Sequence, residues 1–311
     1  MIEARNLTKR YGDKTAVDDL SFTVRPGVVT GFLGPNGAGK STTMRMILGL
    51  DAPTSGAVTV AGKRYSDHAA PLQEVGALLE ARAVHTSRSA YHHLLALAAT
   101  HGISRSRVTE VIEMVGLEGV AMKRAGGFSL GMGQRLGIAS ALLADPETLL
   151  LDEPVNGLDP EGIRWIRDLL RSLAAEGRTV FVSSHLMSEM AVTADHVIVV
   201  GRGRLIADQP MRELIAQASS SAVVVRSPDA AVLAEGLTAP DVTLSRPEPD
   251  VLEVIGLTAA QIGDRAHELG VRLHCLSPRN ASLEEAFMEM TRADVEFHAT
   301  VPAVPTPRSA A

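Results

Sequence analysis

The sequence is poor in cysteine and in long apolar runs, and each shortage excludes something. One cysteine, Cys275, in 311 residues rules out an internal disulfide and suits a reducing compartment. Its neighbours predict a strand, so we interpret it as a buried thiol. No run reaches the roughly 18 apolar residues of a membrane-spanning helix, and the N-terminus lacks the apolar segment of a secretory signal. We therefore expect a cytoplasmic protein that reaches a membrane only through a partner.

Basic residues and aromatic residues are also scarce. The 30 Lys and Arg stand against 36 Asp and Glu, which gives a net charge of −6, and aromatic residues make up 3% of the chain. Without a basic surface to neutralise phosphates, nucleic acid is a poor candidate for the main partner. The length and the apolar fraction of 45% are typical of a globular protein with two domains.

A glycine-rich segment is the strongest feature that the chain does contain. The apolar run 28–33 leads through GPNGAGKS into an amphipathic helix, which fits G-x-x-x-x-G-K-[ST] in its strand–loop–helix context. Glycines let successive N–H groups face one anion, Lys40 adds a positive charge, and Ser41 offers a hydroxyl to Mg²⁺. The alternative is a turn that matches by chance. We predict a nucleoside triphosphate site formed by Gly34, Pro35, Asn36, Gly37, Ala38, Gly39, Lys40, Ser41 and Thr42.

A second apolar strand, 148–151, is followed directly by Asp152 and Glu153. Its leucines predict burial on both faces. The aspartate at such a strand end can hold the water shell of Mg²⁺, and the glutamate can polarise a water for attack on the γ-phosphorus. His185 follows the next strand, 179–183, at the edge where open α/β sheets bind ligands. It is either a γ-phosphate contact or a surface histidine.

Three further positions carry a functional and a structural interpretation side by side. Tyr11 either packs in the core or stacks on an adenine ring. Ser129 and Gly131 precede a helix predicted over 136–144, where they either bind an anion or supply only a cap. Asp159 is expected to cap the helix that begins after it.

Together and in this order, the motifs resemble those of the nucleotide-binding subunit of an ATP-binding-cassette (ABC) transporter, over about residues 1–215. Tyr11 matches the aromatic A-loop, Gly34–Thr42 Walker A, Phe128–Met132 the signature, Leu149–Glu153 Walker B, Asn156–Asp159 the D-loop and His185 the switch histidine. The resemblance implies that the chain binds ATP and Mg²⁺, with Lys40, Glu153 and His185 as catalytic residues. It also implies a head-to-tail dimer, of two copies or with a sister subunit, on a membrane-spanning permease. Each ATP then lies between Walker A of one subunit and Ser129 of the other, with Gly131 and Asp159 also assigned to nucleotide binding.

Three departures from the usual family pattern stand out. Glu80 occupies the position of a glutamine that senses the γ-phosphate and Mg²⁺, and we assign it to the metal and to the hinge of the helical insertion. The signature reads FSLGM instead of LSGGQ, with Leu130 and Met132 as the changed residues, and the D-loop is preceded by Val155 rather than threonine and begins with Asn156 rather than serine. This signature resembles the branch that contains bacterial drug, bacitracin and lantibiotic exporters. It implies export of a hydrophobic drug, an antibiotic peptide or a lipid.

The expected fold class is α/β, a P-loop NTPase with a helical subdomain over residues 1–215. A small α+β domain follows over 216–292, whose strand-helix-strand-strand-helix-strand order predicts a ferredoxin-like arrangement and a final capped helix at 282–291. Residues 293–311 are rich in proline and small residues and predict a disordered tail.

The main alternative function is a soluble ABC-type regulator that acts on translation or DNA without transport. Regulators of translation in this family usually carry two cassettes, and the chain contains one phosphate-loop motif. DNA-maintenance relatives separate Walker A from the signature by long coiled coils. The interval between Thr42 and Phe128 contains no sustained heptad repeat. The sequence therefore favours transport.

Overall fold

In the computed structural model, residues 1–80, 84–218, 222–279 and Phe287 are described. The strands are β1 (Ile2–Tyr11), β2 (Lys14–Val24), β3 (Val29–Leu33), β4 (Ser55–Val60), β5 (Val75–Leu78), β6 (Thr148–Asp152), β7 (Thr179–Ser184), β8 (His196–Gly201), β9 (Arg204–Pro210), β10 (Ala222–Arg226), β11 (Thr243–Glu248), β12 (Val251–Ile255) and β13 (Cys275–Arg279). The helices are α1 (Lys40–Ile47), α2 (Pro71–Glu74), α3 (Ala90–Thr100), α4 (Arg105–Met114), α5 (Leu130–Leu142), α6 (Pro160–Ala175), α7 (Met187–Thr193), α8 (Met211–Ala218), α9 (Ala230–Gly236) and α10 (Ala259–Glu268).

The largest sheet has the strand order β5-β6-β7-β3-β8-β9, and its neighbours run parallel except for the β8–β9 hairpin. β6 is buried from Thr148 to Leu151, as its leucine run predicted, and β3 and β7 are buried along their whole length. Because β6, β7 and β3 are neighbours that run in the same direction, their carboxyl ends meet at one edge of the sheet. That edge carries the glycine-rich loop, the acidic pair and His185.

A three-stranded antiparallel sheet, of order β2-β1-β4, packs against this larger sheet. Three phenylalanine rings join them: Phe22 from β2, Phe32 from β3 and Phe181 from β7, with centroids 5.0–5.7 Å apart. Such tilted and offset ring pairs stabilise a core beyond the area that they bury. Three of the six phenylalanines of the chain therefore meet where the two sheets pack together.

The helices α3, α4 and α5 form the predicted helical insertion after β5. Ser89 and Ser104 cap the first two, since each hydroxyl accepts a backbone N–H from the first turn. Leu94, Val111 and Leu136, one from each helix, are fully buried in the same core as the neighbouring face of the large sheet. The insertion thus shares one hydrophobic core with the large sheet.

The C-terminal elements form a separate four-stranded antiparallel sheet of order β11-β12-β10-β13, with α9 and α10 in the connections. Its own core contains Val225, Leu233, Leu252 and Ile262. The described elements follow one another in the order that the sequence predicted. The assignment of this domain to the ferredoxin-like class stays a prediction.

The interpretation of Cys275 as a buried thiol is wrong. The last strand was predicted over 271–276, but β13 begins at Cys275, whose side chain is exposed. β10 ends at Arg226, which pairs with Cys275, so the residues before Cys275 have no partner in that strand beyond the hydrogen bond of 2.8 Å from the His274 N–H to the Arg226 carbonyl.

Two further points concern a helix that was not predicted and predictions that the described residues do not test. α7 was not predicted, because its seven residues are too short to show a clear apolar period. The predicted helix 282–291 and the tail 293–311 lie outside the described residues, except for Phe287, which is buried in the large core. Across the described ranges, no helix combines the length and the apolar character needed to span a bilayer.

Candidate nucleotide-binding site

A cavity of about 440 Å³ lies at the carboxyl edge of the large sheet. It is lined by Tyr11, Lys14, Ala16, Asn36, Gly37, Ala38, Gly39, Lys40, Ser41, Thr42, Leu79, Asp152 and Glu153. Most of the predicted P-loop residues, the predicted aromatic residue and the acidic pair therefore meet in one place. They come from β1, the loop before α1 and the end of β6.

The glycine-rich loop reaches α1 through Gly39, whose φ of +98° is a conformation that L side chains rarely adopt. A Cβ at this position would also lie 2.5 Å from the Ala16 carbonyl oxygen. Glycine is required here on both grounds. α1 starts at the next residue, so its first backbone N–H groups, which have no partner within the helix, open toward the cavity.

Lys40 is 7% exposed and lies inside the loop that it closes. Its Nζ donates to the Gly34 carbonyl at 2.6 Å and to the Pro35 carbonyl at 3.2 Å. Burial lowers the pKa of the ammonium group, while the charges of Glu153 and Asp152 act in the opposite direction. Gly34 and Pro35 thus contribute by holding the lysine at the anion site.

Asp152 is held from two sides. The Ser41 Oγ donates to its Oδ2 at 2.6 Å, which joins the start of α1 to the end of β6. The hydroxyl of Ser183, on β7, donates a short hydrogen bond to its Oδ1. Side chains from two neighbouring elements therefore orient both carboxylate oxygens without the help of a ligand.

Ser183 is a functional candidate that the sequence analysis missed. It is fully buried, and besides its bond to Asp152 its Oγ accepts the backbone N–H of Glu153 at 3.0 Å. Two serines end the otherwise apolar run of β7, which is the one local sign in the sequence, but the contacts of Ser183 with the end of β6 cannot be inferred from it.

Glu153 adopts φ of +52°, which is unusual for a residue with a side chain and costs on the order of 1 kcal/mol or more. Its Oε2 lies 2.9 Å from Nδ1 of His185, and its carbonyl accepts a hydrogen bond from Gln134 Nε2 at 3.2 Å. Gln134 is 2% exposed and was not predicted as part of the site. The structure thus brings two of the three predicted catalytic side chains, Glu153 and His185, into direct contact.

Tyr11 lies at the wall of the cavity with 48% of its surface exposed, so it is not a core residue. Its hydroxyl donates to Asp51 Oδ2 at 3.0 Å, and the Lys9 ammonium lies 4.9 Å from the ring centroid. Partial desolvation, followed by the bond to Asp51, raises the pKa of the phenol. The residue is therefore partly accessible at the wall of the cavity.

Ser129, Gly131 and Asp159 do not line the cavity of their own chain. Ser129 caps α5 by accepting the Met132 N–H at 3.2 Å, so this helix begins at Leu130 and not at the predicted start. It lines a different cavity of about 290 Å³. Asp159 caps α6 by accepting the Gly162 N–H at 2.8 Å, as expected, and is exposed.

Glu80 follows β5 and is exposed, while the residue before it, Leu79, lines the cavity. Its assignment to a metal stays a prediction. In the part of the chain that the structure describes, no group of three or more His, Cys, Asp or Glu is close enough to hold a metal ion by itself. Ser41 and Asp152 still fit Mg²⁺, which prefers oxygen ligands and is commonly shared between one or two protein oxygens and phosphates.

The fold and the site define a P-loop nucleoside triphosphatase (NTPase): the carboxyl edge of a parallel sheet joins a lysine-bearing anion loop to a strand-end carboxylate pair. Comparison with known proteins refines this class. The sequence profile described as ABC transporter matches residues 17–156, one described as an AAA domain, putative AbiEii toxin, type IV TA system matches 124–191, and a domain of unknown function matches 221–284.

Relatives are similar over most of the chain. The ABC transporter ATP-binding protein YhcH of Bacillus subtilis is 37% identical, covering 94% of this chain and 96% of the relative. The bacitracin transport ATP-binding protein BcrA of Bacillus licheniformis is 45% identical, covering 69% and 71%. The dimeric cassette MJ0796, solved with ADP and Pi in a post-hydrolysis state, is 26% identical with a TM-score of 0.62 and covers 68% of this chain and 99% of that one.

The chain belongs to the family of ABC transporter ATP-binding subunits. The predicted P-loop NTPase fold is confirmed, and the chain is an ATPase of the class that couples hydrolysis to transport.

Proposed function

We propose that this chain hydrolyses ATP as half of a head-to-tail dimer and thereby powers a permease that exports a hydrophobic drug, an antibiotic peptide or a lipid. The observation that supports this most strongly is the hydrogen bond of 2.6 Å between Ser41 and Asp152. It connects the anion loop to the acidic strand end, so the groups that bind phosphate and the groups that act on it are already assembled.

Phosphate binding is assigned to the loop Gly34–Thr42. Its backbone N–H groups and the buried Lys40 provide positive potential at the start of α1. When bound, Mg²⁺ would neutralise charge on the phosphate oxygens. Ser41 and Asp152 would hold it, because both present oxygen atoms at the same wall of the cavity. Tyr11 is assigned to stacking on the adenine ring, for which its partial exposure at the cavity wall is suited.

Hydrolysis is assigned to Glu153, whose carboxylate is placed to orient and polarise a water molecule. Its backbone is fixed at both ends by side chains, with Ser183 accepting its N–H and Gln134 donating to its carbonyl. His185, 2.9 Å from the carboxylate, would contact the γ-phosphate and keep the carboxylate oriented.

A second nucleotide-binding subunit would complete the site. Ser129 and Gly131, at the start of α5, and Asp159 lie away from the P-loop cavity of their own chain and are assigned to the ATP of the partner subunit. The dimeric state of MJ0796 supports this arrangement. Glu80, after β5, is assigned to the hinge through which closure of the dimer moves the helical insertion.

Transport of a membrane-active cargo is inferred from the similarity to BcrA, whose name assigns it to bacitracin transport. We place the chain at the cytoplasmic side of the membrane, peripheral and bound to a permease. Residues 1–215 would form the nucleotide-binding domain, 216–292 an accessory domain and 293–311 a tail. A soluble regulator is the weaker candidate, because BcrA is named as a bacitracin transport protein and MJ0796 as an ATP-binding cassette.

The test uses tagged Glu153→Gln, which should bind Mg·ATP without hydrolysing it. We expect it to recover a membrane protein with several spans, in stoichiometric amount, from membranes of the native host. The matched control is the double variant Lys40→Ala/Glu153→Gln, which should recover less of it because nucleotide binding is lost. Recovery of a soluble ATP-dependent dimer with no membrane protein would contradict the transport proposal.

A further inference from the structure

The side chain of Leu130 packs against the backbone of Gly157, in the space that a side chain at position 157 would occupy. Leu130 opens α5 at the position where the common signature has glycine, and Gly157 lies in the D-loop. A Cβ built on Gly157 would overlap Cγ and Cδ2 of Leu130 and lie 3.1 Å from its Cβ. Gly157 also has φ of +79°. With leucine at 130, only glycine fits at 157.

The backbone of α5 makes the same approach one residue further on. A Cβ built on Gly131 would lie 2.8 Å from the carbonyl oxygen of Gly157, which is closer than real side chains come. The first turn of α5 is therefore seated on the D-loop by backbone as well as by the Leu130 side chain. Two close contacts within one chain therefore fix the first turn of α5 against the D-loop.

The same face of α5 also contacts Glu153, at the start of the turn that leads from Glu153 to the D-loop. Gln134, four residues after Leu130 and so on the same side of α5, donates to the Glu153 carbonyl at 3.2 Å. That carbonyl also accepts the Asn156 N–H at 3.2 Å, which closes the turn between Glu153 and the D-loop. Gly157, the first turns of α5 and the backbone of Glu153 are thus linked by direct contacts.

Leu130 is 50% exposed, which is a high value for a large apolar side chain that makes so close a contact. Burial in the core does not explain its position. Ser129, the cap of α5, directly precedes it. Leu130 therefore lies between the side chain assigned to the partner's ATP and the D-loop that follows Glu153.

We propose that Leu130 and Gly157 are an interlocking pair that sets the position of the signature turn relative to Glu153. Gly157 is then the residue that makes a leucine possible in this signature. Both are positioning residues, since they act through Ser129 and Glu153. The proposal rests on the proposed function for the roles of those two residues.

The test measures steady-state ATP hydrolysis by the full chain and its single-chain ATP affinity. Gly157→Ala should lower kcat about tenfold and leave the ATP affinity within about threefold, because the P-loop cavity is not touched. Adding Leu130→Gly to that variant should recover at least about threefold in kcat, since the steric conflict is removed. The matched control is Gly177→Ala, which has φ of +94° but nothing within 4 Å of the added Cβ, and should keep kcat within about twofold.

Two results would overturn the proposal: an unchanged kcat in Gly157→Ala, or no recovery on adding Leu130→Gly. If Gly157→Ala does not fold, Leu130→Gly alone decides. It should lower kcat at least about threefold with a small change in Tm, since the side chain is half exposed, and an unchanged kcat would again overturn the proposal. Failure of the proposed function has a different signature, namely a wild-type chain that hydrolyses no ATP and an Glu153→Gln variant that binds none.

Discussion

The two halves of the proposed ATP site are built differently. The P-loop half consists of buried or hydrogen-bonded groups that hold one another: Lys40 within its loop, and Asp152 between Ser41 and Ser183. The signature half, around Ser129, is exposed and supplies a cap and a short turn at a separate cavity. On the proposed function, the P-loop half can bind nucleotide in a single chain, and the signature half contacts a nucleotide only when a second subunit presents one.

Of the variants considered, removal of the buried Lys40 ammonium group should weaken the P-loop half most. Lys40→Ala should weaken single-chain ATP binding by at least about a hundredfold, because it removes a desolvated charge facing the phosphates and leaves the Gly34 and Pro35 carbonyls without their donor. Titration with a fluorescent ATP analogue measures this. Lys63→Ala, which removes an exposed lysine, is the control. Undiminished affinity in Lys40→Ala would remove the P-loop assignment.

Ser183→Ala should reduce kcat by about tenfold, because it releases both the Asp152 carboxylate and the Glu153 backbone N–H. Ser184→Ala is a matched control: this serine is equally buried, but its hydroxyl accepts the Leu186 N–H and does not contact the acids. Steady-state hydrolysis at saturating Mg·ATP separates the two. Equal losses in both variants would show that β7 contributes only its packing.

Tyr11→Ala should weaken ATP binding by about tenfold through loss of ring stacking, and Tyr11→Phe should weaken it by about twofold at most. The phenylalanine variant also loses the bond to Asp51, so it separates stacking from that contact. Calorimetric titration of the single chain with ATP gives both values. If the two variants behave alike, the hydroxyl and not the ring is the relevant group.

Ser129→Ala tests the signature half of the site without altering the P-loop half. Single-chain ATP affinity should stay within about twofold, because Ser129 lies outside the P-loop cavity. Dimer formation by the Glu153→Gln variant with ATP should decrease, since the serine is assigned to the partner's phosphate and its loss removes the cap of α5. An equal loss of single-chain affinity would place Ser129 in the site of its own chain.

Much of the P-loop half was predictable because its residues are contiguous with the elements that place them. A strand, a glycine loop and a helix carry Gly34 to Thr42, and a buried strand carries Asp152 to its end. Ser183 and Gln134 were not predicted because they act through contacts with residues far away in the sequence. Spacing within one segment does not reveal such contacts.

The start of α5 was mispredicted for a physical reason. Gly131 and Gly133 lower the helix propensity of the first turn, and the apolar pattern therefore predicted a helix only from residue 136 onward. Tertiary contacts outweigh that propensity here, since Ser129 caps the helix and the D-loop packs beneath it. The missed turn is the one that carries the Leu130–Gly157 contact.

The most direct test of a site completed by a second chain is the molar mass of Glu153→Gln in solution, measured by light scattering with and without Mg·ATP. We expect one chain per particle without nucleotide and two with it, and the Lys40→Ala/Glu153→Gln control should remain single under both conditions. A variant that binds ATP tightly and remains a single chain would contradict the proposed division of the site between two subunits.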